Sequence, residues 1–169
     1  FTFNFLLSTS AVANGPSVQW QKTFGGSDDA FGWSVQQTTD GGFIIAGDYI
    51  ISLNDLWGEV YLVKTDPNGN SQWQKTFGVN KEVWMWDGGW SVQQTTDGGF
   101  IIAGYTVPFG ACTYDVYLIK TDSAGNSQWQ KTFGGSSYDS GYSVQQTTDG
   151  GYIIAGETSF IAWGTDVYL

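Results

Sequence analysis

Aromatic rings and carboxylates gather in a few short stretches of this chain. Trp57, Trp84, Trp86, Tyr114, Tyr138 and Trp163 stand close in sequence to Asp28, Asp29, Asp55, Glu59, Glu82, Asp87 and Asp139. A ring face stacks on sugar C–H bonds while a carboxylate accepts hydroxyl hydrogens, so this mixture suits a carbohydrate. It suits a protein partner as well, because Trp and Tyr dominate interface hot spots. The candidate ligand-binding set is Trp57, Trp84, Trp86, Tyr114, Tyr138 and Trp163, with Asp28, Asp29, Asp87 and Asp139. The competing role for such rings is to fill gaps between packed sheets. That role is the one expected of Trp33, Trp90 and Tyr142, which recur at matched positions before the same phrase.

Other chemistries lack their residues. The chain has no histidine, which removes Ser-His-Asp and Cys-His nucleophile arrangements. Glycoside hydrolysis needs two acids about 5–10 Å apart, and the adjacency of Asp28 and Asp29 does not fix that geometry. No catalytic residue is assigned. The turn Asp66-Pro67-Asn68-Gly69-Asn70 resembles the start of a calcium loop, but it is one residue short and lacks the closing Glu, so it reads as a hairpin turn. No metal site, cofactor or phosphate-cradling loop is assigned. The single cysteine, Cys112, excludes an intrachain disulfide and leaves a free thiol or a link between chains.

A net charge of −10 argues against nucleic acid and anionic membrane surfaces, both of which need clustered Lys and Arg. The apolar run at residues 1–13, FTFNFLLSTSAVA, is too short to span a bilayer, so no membrane insertion is expected. It ends in Ala11-Val12-Ala13, a small-x-small pattern, and reads as a secretory signal remnant with the mature chain starting near Asn14. The alternation of Phe1, Phe3 and Phe5 with Thr2 and Asn4 supports the competing reading, a strand. The partners this leaves are a glycan or a protein, and the location is secreted or cell-surface.

The elements that must position these groups come from a repeat. SVQQTTDGGFIIAG occurs at Ser34–Gly47 and Ser91–Gly104, and SVQQTTDGGYIIAG at Ser143–Gly156. QWQKTF recurs with Trp20, Trp73 and Trp129, at intervals of 53 and 56 residues. A period near 50 lies in the range of β-propeller blades. Four strand-like runs make each unit: SVQQTT, FIIAG, VYL[VI]KTD and SQWQKTF. Asp-Gly-Gly and Asn-Gly or Ala-Gly turns join them. FIIAG is apolar throughout, as expected of a strand covered on both faces. No stretch holds a helical period.

These phrases resemble the seven-bladed beta-propeller repeat family of secreted bacterial and archaeal proteins, over residues 18–169. The layout is more distantly similar to kelch and quinoprotein propellers. The resemblance implies an exported or surface protein and carries no site residues with it.

The expected fold is all-β, made of three four-stranded antiparallel meander blades. They lie at about 34–77, 91–133 and 143–169 within a repeat domain spanning 14–169. The strand at 18–24 is expected to complete the last blade. Three blades are fewer than the usual four to eight. Either the sequence is a fragment of a longer propeller or chains join as a homo-oligomer to complete a ring. The connections at 25–33, 78–90 and 134–142 and at 48–58, 105–115 and 157–166 vary in composition. They should emerge at one end of the blades, where binding surfaces of repeat arrays lie. The resulting expectation is a non-catalytic extracellular binding module. The alternatives are a carbohydrate-active enzyme fragment and a structural subunit of an extracellular assembly.

Overall fold

A computed structural model describes residues 3–9, 17–50, 57–79, 86–108, 113–160 and 164–168. They form thirteen strands: β1 (Phe3–Thr9), β2 (Ser17–Phe24), β3 (Asp29–Gln37), β4 (Phe43–Ile50), β5 (Gly58–Thr65), β6 (Ser71–Phe77), β7 (Gly88–Gln94), β8 (Phe100–Thr106), β9 (Asp115–Thr121), β10 (Ser127–Phe133), β11 (Tyr138–Gln146), β12 (Tyr152–Phe160) and β13 (Gly164–Tyr168). The fold is all-β. β3–β6 and β7–β10 are four-stranded antiparallel meanders, β11–β13 form a three-stranded one, and β1 and β2 pair as a hairpin. No closed ring of sheets is found among the described residues.

The turns follow from local chemistry. In the first meander the Thr38 amide donates to the Gly42 carbonyl and the Gly41 amide to the Thr38 carbonyl, with Gly41 at φ 81°. Asp40 accepts the Gly42 amide and the ammonium of the buried Lys64, at 3.0 and 2.8 Å. Lys64 also donates to the Thr65 carbonyl and to Gln72 Oε1. One cation therefore ties the first turn to the third and fourth strands. Lys120, Asp97 and Gln128 repeat the arrangement in the second meander. Asp66 accepts the amides of Asn68 and Asn70 at 2.8 Å, which makes its turn a self-contained hairpin.

Because the second strands are apolar on both faces, the sheets must stack. Ile44, Ala46, Val60, Leu62 and Phe77 of the first four-stranded sheet pack against Val92, Phe100, Ile102, Tyr117 and Ile119 of the next. Ile101, Ala103 and Leu118 then pack against Val144, Tyr152 and Ile154. Each sheet thus has a leading face, carrying Ile44, Ile101 or Ile153, and a trailing face, carrying Ile45, Ile102 or Ile154. Trp20, Trp73 and Trp129 meet Phe43, Phe100 and Tyr152 edge-on, each pair at 5.8 Å. At the first strands the sheets are laced by polar bonds. Ser34 Oγ and Gln36 Oε1 accept the amides of Val92 and Gln94 at 3.2 and 2.6 Å. Ser91 and Gln93 do the same for Val144 and Gln146 at 3.1 and 2.6 Å.

The structure corrects the sequence reading at the N-terminal end. β2 does not complete the third sheet. It pairs with β1, in register from Phe3↔Phe24 to Thr9↔Ser17. Residues 3–9, assigned to a signal remnant or a strand, are a strand. The units also start earlier than expected, at Asp29, Gly88 and Tyr138, because each first strand continues past a bulge.

That bulge explains the glycine of every IIAG. A Cβ on Gly47, Gly104 or Gly156 would lie 1.7, 1.7 or 1.9 Å from the carbonyl oxygen of Phe31, Gly88 or Ser140. Gly104→Ala should therefore cost on the order of 3 kcal/mol or more in denaturant unfolding. Gly135→Ala, where a Cβ meets nothing within 4 Å, should cost under about 0.5 kcal/mol.

Candidate functional site

The three matched aromatics are the inserted residues of these bulges. The pairing register shifts between Gly32 and Ser34, between Gly89 and Ser91, and between Gly141 and Ser143. A bulge leaves one residue unpaired and re-aims its side chain. Trp33, Trp90 and Tyr142 are re-aimed in this way and together line an open cleft of about 410 Å³. The packing role expected for them holds for Trp90 and Tyr142, whose rings meet across two sheets, but Trp33 is 55% and Tyr142 still 47% exposed. Trp90 stacks on Tyr142 at 4.9 Å and 14°, and Trp33 on Phe31 at 6.0 Å and 6°.

Each ring is fixed by the residue after the opposing glycine. Trp33 Nε1 donates to Asp48 Oδ2 at 2.6 Å, while the Gly89 amide donates to Asp48 Oδ1 at 3.1 Å. Trp90 packs against Tyr105 at 4.6 Å. The Tyr142 hydroxyl donates to Glu157; burial and this carboxylate push its pKa up to about 12. Burial pushes Asp48 up to about 6 against the two bonds it accepts.

The residues chosen from sequence scatter around this cleft. Tyr114 and Tyr138 belong to an aromatic run that leads from Trp90 through Tyr105, with Tyr105–Tyr114 at 5.1 Å and Tyr114–Tyr138 at 5.5 Å. Trp57 is half-buried at the entry to β5. Trp86 is half-buried, with a Cβ on Gly58 falling 3.3 Å from its ring. Asp28 accepts the Tyr49 hydroxyl at 2.9 Å, and Asp29 opens β3 half-buried. Trp84 and Trp163 lie outside the described residues, as does Cys112.

Asp87 and Asp139 are buried and present no carboxylate to a ligand. Each sits at a sheet junction with an acid from the preceding sheet's third strand. A Cβ on Gly78 would lie 2.9 Å from Asp87 Oδ2 and 3.4 Å from Glu59 Oε1. On Gly134 it would lie 2.2 Å from Asp115 Oδ1 and 2.8 Å from Asp139 Oδ2. Burial raises Asp87 to about 6, the Glu59 charge adding to it, and burial with the Asp139 charge raises Asp115. Among the described residues no group of three or more Asp, Glu, Cys or His is placed to hold a metal ion. Nor is any helix there long and apolar enough to cross a membrane.

No protein-family model matches the chain, and no curated protein is similar enough to count as a relative. The cleft must be read from its own chemistry.

Its signal in the sequence is small but present. Gly32-Trp33-Ser34, Gly89-Trp90-Ser91 and Gly141-Tyr142-Ser143 each put a ring beside a glycine that faces another glycine across the sheet.

The buried acids set a pH dependence. An unfolded aspartate titrates near 3.8, whereas Asp48 and Asp87 titrate at about 6 in the fold. Between these values the folded chain binds more protons than the unfolded one, so stability falls as pH rises through the window, by about 3 kcal/mol per group. Lys64 and Lys120 hold the exposed Asp40 and Asp97 down to about 2, so their contribution is lost only as pH falls from about 3.8 to about 2. Thermal unfolding should give maximal stability near pH 4–5. Asp48→Asn with Asp87→Asn should flatten the slope between pH 5 and 7.

Proposed function

We propose that this chain is an extracellular, non-catalytic binding module built as an arc of a β-propeller, with the cleft of Trp33, Trp90 and Tyr142 as its ligand site. The observation carrying this reading is the cleft itself. Three rings, one per sheet, are turned out of their strands by bulges and held by Asp48, Tyr105 and Glu157. Trp33 is 55% exposed, and Tyr142, with one face stacked on Trp90, is still 47% exposed. A volume of about 410 Å³ lies within the range of small-ligand sites.

The favoured ligand is a neutral saccharide. Ring faces stack on the apolar face of a sugar, and Glu157 beside Tyr142 offers acceptors for its hydroxyls. The stacked sheets, the first strands laced side by side and the one aromatic per first strand support the propeller arrangement, in which first strands line the axis. The net charge of −10 and the absence of any basic cluster favour a neutral or cationic ligand over an anionic one.

An enzymatic reading has one observation in its favour: Asp48, with its pKa near 6, sits beside an aromatic cleft as a general acid would. But its two oxygens already accept from Trp33 and Gly89, which suits holding the ring rather than meeting a substrate.

A glycan panel against the full chain, read by tryptophan fluorescence, tests the proposal. Trp90→Ala and Trp33→Ala should each weaken saccharide binding by about tenfold or more, the loss of one stacking contact of about 1.4 kcal/mol. Circular dichroism should show the sheet content unchanged. Binding unaffected by both substitutions would refute the assignment of the cleft. Hydrolysis abolished by Asp48→Asn would establish the enzyme instead.

A further inference from the structure

The buried acids at the sheet junctions are not used by the cleft. Glu59, at the start of β5, is 4% exposed, and Asp87, just before β7 of the next sheet, is 1% exposed. Both carboxylates converge on Gly78, the residue after β6. The Asp87 amide donates to the Gly58 carbonyl at 2.9 Å, and Asp87 Oδ2 accepts the Val79 amide at 3.0 Å. These bonds hold Asp87 in place between the two sheets and occupy only one of its oxygens.

The other oxygen, Asp87 Oδ1, is sealed from solvent and has no hydrogen-bond partner. Thr106, at the end of β8, is fully buried, and its hydroxyl oxygen also has no partner. Thr106 stands beside Asp87, whose pKa it draws down, without reaching hydrogen-bond geometry. Buried oxygens are almost always paired, and an unmet one is costly. Here two lie together, next to a second carboxylate whose charge repels the first.

The next junction repeats the pattern. Asp115 holds the place of Glu59 and Asp139 that of Asp87, by the registers of their strands. They converge on Gly134, and Asp115 Oδ1 is again buried without a partner. Of the four such buried side-chain atoms among the described residues, three belong to these two junctions. Before β3, where Ala30 holds the place of Asp87, there is none among the described residues. The orphaned oxygens thus accompany the acid pairs.

We propose that the junction of the two four-stranded sheets is a calcium site, with Glu59, Asp87 and Thr106 turning their oxygens to the ion. Every donor there is oxygen, the ligand of hard cations, and the chain has no histidine to favour zinc or copper. Calcium takes about six to eight oxygens in a flexible shell, and main-chain carbonyls and waters supply those that three side chains do not. Magnesium demands a near-ideal octahedron and gives up water reluctantly, so it suits a dry junction less well. Burial that shuts out a saccharide does not shut out a bare ion. An open cleft of about 350 Å³, lined by Gly78, Val79 and Tyr117 among others, leads to Gly78 from outside. The ion would tie β5 of one sheet to β7 and β8 of the next and so strengthen the stack. The Asp115–Asp139 junction has Thr158 only half-buried in the place of Thr106, and would hold an ion more weakly.

The experiment uses the full chain, freed of metal by chelator and titrated with terbium, a calcium mimic excited through nearby rings. Tyr105 and Tyr117 both feel the charge of Asp87 and lie within reach. Calcium should displace terbium with a Kd of about 0.1–1 mM, the range of extracellular modules. Glu59→Gln and Asp87→Asn should each weaken terbium binding about tenfold or more. Asp66→Asn, in the exposed turn that resembles the start of a calcium loop, should leave it unchanged. Melting should rise by about 3 °C or more in about 10 mM CaCl2 over NaCl of equal ionic strength. Thr106→Val removes only the unmet hydroxyl. It should leave the calcium-free chain at least as stable and reduce the gain from calcium, while Thr106→Ser should keep that gain. Equal melting in CaCl2 and NaCl, terbium binding indifferent to both acid substitutions, or binding lost on Asp66→Asn would each overturn the proposal. So would a calcium gain that Thr106→Val leaves intact.

Discussion

The second strand of each repeat cannot be satisfied within its own sheet. Ile44 and Ile45, or Ile101 and Ile102, point to opposite faces, and all four are buried. A single meander would leave one of every such pair in water, at about 1.5–3 kcal/mol for each large side chain. The repeats must therefore stack face to face. The edge-on Trp contacts, the Ser and Gln lacing and the paired acids at the junctions all follow from that stacking. On the leading face of the last sheet Ile153 is 51% exposed, where Ile44 and Ile101 are fully buried.

Stacking also decides what the first strands can display. Laced side by side through their side chains, they have little freedom to present an ordinary in-register residue. The bulge relieves this by inserting one residue opposite a glycine, and in all three sheets the inserted residue is aromatic. The close approach that forbids a Cβ on Gly47, Gly104 and Gly156 is thus the same feature that turns Trp33, Trp90 and Tyr142 outward. Stability and the candidate site rest on one backbone device.

Much of this was legible in the sequence, because repetition exposes pattern. The strand phrases, the Asp-Gly-Gly turns and the double-faced FIIAG run led directly to stacked meanders. The bulges were not legible, since a two-residue alternation does not register one inserted residue, and Trp33 was assigned to packing for that reason. The buried acid pairs were hidden because Glu59 and Asp87 belong to different sheets and meet only through stacking. A strand at β1 was one of two readings, but its likeness to β5 was hidden because FNFLLST shares little text with VYLVKTD; only its register against β2 reveals the equivalence. The varied loops looked like the binding face by composition, yet Asp87 and Asp139 within them serve the interior.

Stacking, rather than local sequence, protects these strands. Backbone hydrogen exchange tests this most directly, because three near-identical IIAG segments sit in different surroundings. Ile44–Ala46 and Ile101–Ala103, covered on both faces, should exchange far more slowly than Ile153–Ala155, whose leading face is bare. Equal protection of all three segments would contradict the account.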